Sequence, residues 1–384
     1  MKYYIISGEA SGDLHGSNLI KELRLLDTSA DIRCWGGDLM QEAGATLVKH
    51  YRELAFMGFA EVIKNLPAII HNIQFCKHDI LSFQPDVLVL IDYPGFNLRI
   101  AEWGKKQGFI IVYYISPQVW AWKENRVKKM KQCIDKMFCI LPFEKDYFKN
   151  KWNWEVEYVG HPLVEVIEKK QLGIWSLEFG DVNREHNTKH QTPNTRLIAL
   201  LPGSRKQEIA KKLPIMLEVS KSFPDYQFVV AQAPGLENDF YMPFLVPYQN
   251  VSCVRNKTYD LLAEAKAALV TSGTATLETA LFGVPEIVCY KSSNFSYQIA
   301  KRLIKIKYIS LVNLIMDKMV VKELIQNELT TENLIKELQE LLTNINRITS
   351  IRADYIELKD ILSKGGRASA KTAKSIYDLI TTSK

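Results

Sequence analysis

Short β-rich runs alternate with longer amphipathic stretches along most of the chain, and this alternation constrains the fold more than any other feature of the sequence. The runs lie at residues 2–7, 32–35, 87–91, 109–115, 137–141 and 156–159, with helix-like stretches at 16–26 and 63–81 between them. A strand followed by a helix before the next strand predicts βαβ units, right-handed crossovers and helices on both faces of a parallel sheet. A second series with the same rhythm occupies 197–201, 227–231, 251–254, 267–271 and 287–290. At 384 residues the chain exceeds the size at which one core stops growing, so two similar doubly wound, Rossmann-like α/β domains are expected, with a cleft between them available for a site. The expected domains are 1–165 and 166–349, with the helical stretch of about 350–384 packing back on the first. Residues 178–194 are polar, lack apolar periodicity and read as a surface insertion.

Composition narrows the function classes. Hydrophobic residues make up 47% and charged residues 24%, the balance of an ordinary globular protein. A net charge of +6 biases the surface toward anionic partners such as phosphorylated ligands or acidic lipid, and does not by itself argue for nucleic acid. Six cysteines without a CxxC pair fit buried thiols in a reducing compartment, and a cytoplasmic location is expected. The opening residues read as a first strand rather than a signal peptide, and no segment approaches the roughly 20 apolar residues of a membrane span.

Chemistry-bearing residues gather where strands end, the edge at which open parallel sheets bind ligands. Ser7-Gly8-Glu9-Ala10-Ser11-Gly12-Asp13 follows the first strand, and its glycines would let backbone approach a ligand. A tight turn with Asp13 capping the helix accounts for the same residues. The spacing of Gly8, Gly12 and Gly16 is not the dinucleotide fingerprint. Asp92, in Ile91-Asp92-Tyr93-Pro94-Gly95-Phe96-Asn97, ends another apolar strand and could take a proton from a hydroxyl nucleophile, or merely cap a loop. After the next strand, Ser116 to Trp122 sets two tryptophans beside polar groups, suited to sugars or acyl chains, although core packing is the commoner use of tryptophan.

The second series ends two strands in phosphate-suited loops. Leu201-Pro202-Gly203-Ser204-Arg205 combines backbone amides, a hydroxyl and a guanidinium. Ser272-Gly273-Thr274-Ala275-Thr276-Leu277-Glu278 should open a helix whose free amides and dipole favour a pyrophosphate, with Glu278 one turn in and able to accept from ribose hydroxyls. A capped helix would explain either loop alone; two in one domain point to a nucleotide diphosphate. Residues 54–59, with Val62, Leu66, Ile69 and Ile70 and the cations Lys49, Arg52 and Lys64, form either a lipid-facing patch or a core-facing helix.

Taken in order, SGEASGD (7–13), FMGFAEV (56–62), PDVLVLIDYPGFN (85–97), SPQVWAW (116–122), LPFE (141–144), GHPL (160–163), LPGSR (201–205), SGTATLE (272–278) and SLVNL (310–314) make the chain resemble the lipid-A-disaccharide synthase family along nearly its whole length. The resemblance implies a GT-B type enzyme with a UDP-binding second domain and an acceptor-binding first. UDP-2,3-diacylglucosamine would donate its sugar to 2,3-diacylglucosamine 1-phosphate, giving a β-1,6-linked disaccharide phosphate with inversion and without metal or other cofactor. By position, Asp92 resembles the general base. Arg205, with Ser204, resembles the pyrophosphate ligand, Gly273, Thr274, Ala275 and Thr276 the donor loop, Glu278 the ribose ligand and Asn313 a nucleotide-side contact. Gly8, Glu9, Ser11, Gly12, Asn97 and Ser116 resemble the sugar- or acceptor-side groups. The family also suggests a homodimer with C-terminal exchange, peripheral attachment to the anionic inner face of the cytoplasmic membrane, and no nucleic-acid partner. Gly95 stands where a second acid is usual and Val312 where proline is usual. Two other readings are a UDP-N-acetylglucosamine 2-epimerase, which needs no lipid acceptor, and a noncatalytic lipid- or nucleotide-binding module.

Overall fold

The computed structural model describes residues 1–54, 66–121, 123–178, 196–292, 297 and 307–382. The expected insertion beyond residue 178, residues 55–59 with Val62 and Lys64, and Trp122 lie outside them. The chain divides into two compact units, Met1–Pro162 with Leu362–Lys384, and Leu163–Ile361.

The first unit runs β1 (Lys2–Ser7), α1 (Ala10–Leu26), β2 (Asp31–Gly36), α2 (Asp38–Glu42), β3 (Thr46–His50), α3 (Leu66–Phe83), β4 (Val87–Ile91), α4 (Pro94–Lys106), β5 (Ile110–Tyr114), α5 (Arg126–Cys133), β6 (Lys136–Cys139), α6 (Pro142–Trp152) and β7 (Glu157–Tyr158). The second begins within α7 (Pro162–Glu178) and continues β8 (Leu197–Leu201), α8 (Lys206–Val219), β9 (Gln227–Gln232), α9 (Asn238–Leu245), β10 (Val251–Arg255), α10 (Thr258–Glu264), β11 (Ala267–Thr271), α11 (Thr274–Leu281), β12 (Glu286–Tyr290), α12 (Leu311–Met316), β13 (Lys322–Ile325), α13 (Thr331–Thr343) and α14 (Ile345–Ser363). After Gly365 and Gly366, α15 (Ala368–Thr382) belongs again to the first unit. Most of α14, whose Ile351, Tyr355 and Leu358 are buried, belongs to the second.

Both sheets are parallel throughout. Alternate residues of one strand serve opposite faces, so a strand apolar on both parities must be covered twice. Tyr4, Ile6, Leu88 and Leu90 pack with Ile73, Cys76 and Ile80 of α3, Ile100 of α4, and Val127 and Met130 of α5. Tyr3, Ile5, Val87 and Val89 pack on the other side with Leu19, Ile20 and Leu23 of α1 and Ala373, Ile376 and Ile380 of α15. In the second unit Ala199, Leu201, Ala268 and Val270 face Leu261 and Leu262 of α10. On α8 the residues Ile209, Leu213, Met216 and Leu217 are buried, and α8 packs against α13.

The strand orders position the sites. They are β3-β2-β1-β4-β5-β6-β7 and β10-β9-β8-β11-β12-β13. In each, successive strands are laid to one side of the first and then to the other. The order reverses between β1 and β4 in one sheet and between β8 and β11 in the other, and a crevice opens at such a point beyond the carboxyl ends of the strands.

Two strands, β3 and β13, lie outside the runs read from the sequence. Both are edge strands, and Thr46–His50 and Lys322–Ile325 are mostly half-buried and mix polar with apolar residues. A second difference concerns α1, which starts at Ala10 rather than near residue 16, so Ser11, Gly12 and Asp13 form its first turn instead of a loop.

Candidate active site

At the first reversal, β1 ends at Ser7 and β4 at Ile91, register partners in adjacent strands. Gly8 and Glu9 follow one, Asp92 and Tyr93 the other. Asp92 and Tyr93 are both left-handed, at φ 44° and 47°, and Ile115 after β5 sits at φ 66°. For residues with a Cβ this region is sparsely populated, and a β-branched isoleucine there is a true outlier, costing on the order of 1–3 kcal/mol each. The backbone around Asp92 is correspondingly clamped. Its amide donates to the Tyr114 carbonyl (3.1 Å), and its own carbonyl accepts from Tyr113 Oη (2.5 Å) and Asn97 Nδ2 (2.8 Å).

The clamp presents a half-buried carboxyl. Burial raises the Asp92 pKa to about 7, helped by the charges of Glu9 and Glu144 and opposed by the Tyr93 amide. An acid poised there is half ionised at neutral pH and suits proton abstraction.

The other residues expected on this side divide into two groups. Gly8 and Gly12 answer to packing within the protein: a Cβ on Gly8 would stand 2.4 Å from the Tyr93 ring, and one on Gly12 2.2 Å from Ser7 Oγ. Asp13 does cap a helix, but not its own. Its Oδ1 accepts from the amides of Gly37 (2.8 Å) and Met40 (3.0 Å) at the start of α2. Asn97 is fully buried and donates to the carbonyls of Ile6, Ile91 and Asp92, tying β1 and β4 beneath the acid. Ser116 is buried and donates to Glu144 Oε1 (2.5 Å), which also accepts from Trp120 Nε1 (3.1 Å). Glu9 stands beside Asp92 as a second charge, and Ser11 is exposed at the start of α1.

At the second reversal, β8 and β11 are adjacent, Leu201 pairing with Val270. Gly203 takes φ 122° and Gly273 φ 148°, conformations that side chains resist, and the space around Gly273 is open. Ser204 and Arg205 are exposed. Arg205 Nη1 lies 3.6 Å from Glu208 Oε1, a loose pair that leaves the guanidinium available. Gly273 is the N-cap of α11 without a side-chain cap, so the Thr274 and Ala275 amides face outward from the helix start. Thr274 is exposed and Ala275 half-buried, whereas Thr276 is buried and spends its hydroxyl on the Gly273 carbonyl (2.8 Å). Glu278 is half-buried; Tyr259 Oη donates to its Oε1 (3.0 Å), while burial raises its pKa.

Asn313, expected as a nucleotide-side contact, has its side chain engaged within the protein. Its Nδ2 donates to Val321 O (2.8 Å) and Glu323 Oε1 (2.9 Å), and its Oδ1 accepts from the amides of Val320 (2.8 Å) and Val321 (2.9 Å). Two donors and two lone pairs are thereby used, so this side chain holds the loop between α12 and β13.

The family model of lipid-A-disaccharide synthetase matches residues 3–378. The lipid-A-disaccharide synthase of Trichlorobacter lovleyi is 36% identical over 369 residues, covering 94% of this chain and 93% of that one. The chain belongs to the lipid-A-disaccharide synthase family. Among solved structures, the UDP-GlcNAc 2-epimerase from Neisseria meningitidis, bound to UDP-GlcNAc, matches with a TM-score of 0.66 at 14% identity, covering 100% of both chains. The glycotransferase of kitacinnamycin matches with a TM-score of 0.63 at 13% identity, covering 98% of each. At such identities these two establish the fold alone, two Rossmann-like units of the GT-B type.

The structure brings forward two groups that reading the sequence did not single out. Glu144 is fully buried, with its pKa raised to about 6 by burial against the pull of Ser116, Trp120 and the amides of Leu141 and Ile140. Its signal was an acid three residues after Leu141, with Pro142 opening α6, the pattern of a residue reaching back to its own helix start. Lys212 is the second. It stands three residues after Ile209 on α8, a core-facing position by helical period, and is buried there.

Proposed function

We propose that the chain catalyses the reaction its family is named for: transfer of 2,3-diacylglucosamine from UDP to 2,3-diacylglucosamine 1-phosphate, forming the β-1,6 disaccharide 1-phosphate of lipid A. The acceptor's 6-hydroxyl oxygen attacks the anomeric carbon, its proton passes to Asp92, and the bond from that carbon to the β-phosphate oxygen breaks with inversion. The electron pair leaves on UDP, where Arg205 and the Thr274 and Ala275 amides meet the growing charge. Glu278 takes the ribose hydroxyls. Asn97, Tyr113 and Glu144 act through Asp92, the first two by fixing its backbone and the third by adding to the negative field.

One observation carries this reading. Asp92, the acid at the reversal of the first sheet, has its pKa raised to about 7 by burial, where a carboxylate can accept a hydroxyl proton at neutral pH. The chain's membership of the family supports the choice of substrates. No helix among the described residues is long and apolar enough to cross a membrane. Peripheral attachment to an anionic membrane surface, the inner face of the cytoplasmic membrane, and a homodimer belong to the same proposal. Ile70 and Phe75 of α3, 50% and 42% exposed, support a lipid-facing surface.

Mass spectrometry of products made from the UDP-diacylglucosamine donor, with and without the monosaccharide phosphate, tests the proposal. A disaccharide phosphate appearing only with both is expected. Turnover of UDP-N-acetylglucosamine without acceptor would favour an epimerase instead, and UDP binding without turnover of either would leave a binding module.

A further inference from the structure

An acid lies where a phosphate-binding turn should least tolerate one. A Cβ built on Gly203 would stand 3.0 Å from Glu208 Oε2 and 3.6 Å from Lys212 Nζ, so both groups lie directly against the turn that carries Ser204 and Arg205. Among the described residues, two cations reach Glu208: Arg205 Nη1 at 3.6 Å from Oε1 and Lys212 Nζ at 4.0 Å from Oε2. They differ in freedom. The Arg205 side chain is 51% exposed and can leave the pair, whereas that of Lys212 is 3% exposed and cannot follow it to solvent.

A buried lysine needs an explanation, because its charged form loses hydration that an apolar residue of the same length would not need. Burial draws the Lys212 pKa down and Glu208 works against it. An isolated structural ion pair would account for the lysine if Glu208 lay elsewhere. Beneath Gly203, however, an uncompensated Glu208 would repel any phosphate brought to the turn, and Arg205 cannot both bind that phosphate and neutralise the acid.

This inference rests on the reading that a nucleoside diphosphate occupies the turn. We propose that Lys212 is a positioning residue that neutralises Glu208 from within the core, releasing Arg205 to the diphosphate without leaving a bare carboxylate beneath it. Lys212 itself acts through Glu208 and does not touch the ligand.

The test is calorimetric titration of UDP into the full-length wild type, K212M, E208Q and the E208Q/K212M double variant, with melting temperatures alongside. K212M is expected to bind UDP at least tenfold more weakly while melting no lower than wild type, since an apolar side chain of similar length replaces a buried charge. E208Q is expected to bind within threefold of wild type or more tightly, and the double variant within threefold of E208Q. That rescue is the signature, because a lysine that served folding or touched the phosphate would not be made dispensable by removing an acid. If K212M binds UDP as wild type does, or the double variant is as weak as K212M, the proposal fails. Should K212M not fold, the comparison of E208Q with the double variant decides alone, a tenfold gap overturning it. A wild type that does not bind UDP overturns the reading of the turn, and this inference with it.

Discussion

At the reversal of the first sheet, two adjacent non-glycine residues, Asp92 and Tyr93, are held left-handed and the acid is half-buried. At the reversal of the second, the left-handed residues of the two loops are glycines, and the cation beside them, Arg205, is half exposed. The first site is strained and rigid, its backbone fixed by Asn97, Tyr113 and Tyr114 before any substrate arrives. The second is open, with free amides at the helix start and an exposed cation. A proton acceptor must be aimed and its pKa set in advance, which burial and clamping achieve. The proposed diphosphate would bring its own charge and order an exposed guanidinium on arrival.

The sharpest way to break this contrast is at Asp92. Replacing it with asparagine keeps the shape and removes the base, so turnover should fall by about 10³-fold, within the usual range for a general base. UDP affinity should stay within about twofold, since charge at the other reversal is untouched. Initial rates by product mass spectrometry and UDP titration by calorimetry check both halves. A variant that loses UDP binding along with turnover would show that the two sites do not divide the work this way.

Arg205→Ala should do the reverse. Losing a charge-assisted contact to the diphosphate costs about 1.5–3 kcal/mol, or roughly 10- to 150-fold in UDP affinity. Lys at this position should recover only part of that, because an ammonium cannot reproduce the guanidinium's paired donors. Calorimetric dissociation constants for UDP across the three proteins provide the measurement. If Arg205→Ala binds like wild type, the guanidinium plays no part in holding the diphosphate.

A pH profile separates the sites without mutation. Asp92 must be ionised to act, and its pKa is raised to about 7. Activity should therefore fall about tenfold per pH unit below that value and level off above it. UDP affinity should change only mildly across the same range, following the ligand's own terminal phosphate, whose second ionisation falls at about 6. An activity profile flat down to pH 5 would remove Asp92 from the role of base.

How much of this was legible in the sequence follows from the same physics. Central strands such as Val87–Ile91 must be apolar on both faces and could be read directly, whereas the edge strands Thr46–His50 and Lys322–Ile325 carry a weaker signal because each has one neighbour and is less covered. Asp92 and Arg205 were visible because they follow apolar strands. Asn313 and Ser116 were also visible as polar residues in suggestive positions, but a sequence does not show which hydrogen bonds they have already made. Glu323 and Glu144, arriving from other elements, take up their capacity. Lys212 was legible by helical period alone, yet its meaning depends on the carboxylate it meets.

The smallest expected effect concerns stability, and its sign is fixed by the clamp on Asp92. A carboxyl whose folded pKa is raised from 3.8 to about 7 is protonated in the folded chain but ionised in the unfolded chain between those values. Over that window the unfolded state binds fewer protons, so wild-type stability falls as pH rises and the whole penalty is present above pH 7. Asn at position 92 carries no such charge. The variant should therefore match wild type near pH 4 and become progressively more stable up to pH 7, with a constant advantage beyond. The full shift corresponds to about 4 kcal/mol, and partial exposure of the side chain reduces the expected gain to the order of 2 kcal/mol, a few degrees in melting temperature. Thermal melts of both proteins from pH 4 to pH 8 read it directly. Parallel melting curves at every pH would mean that the first site stores no electrostatic cost, and its difference from the second would then be one of geometry alone.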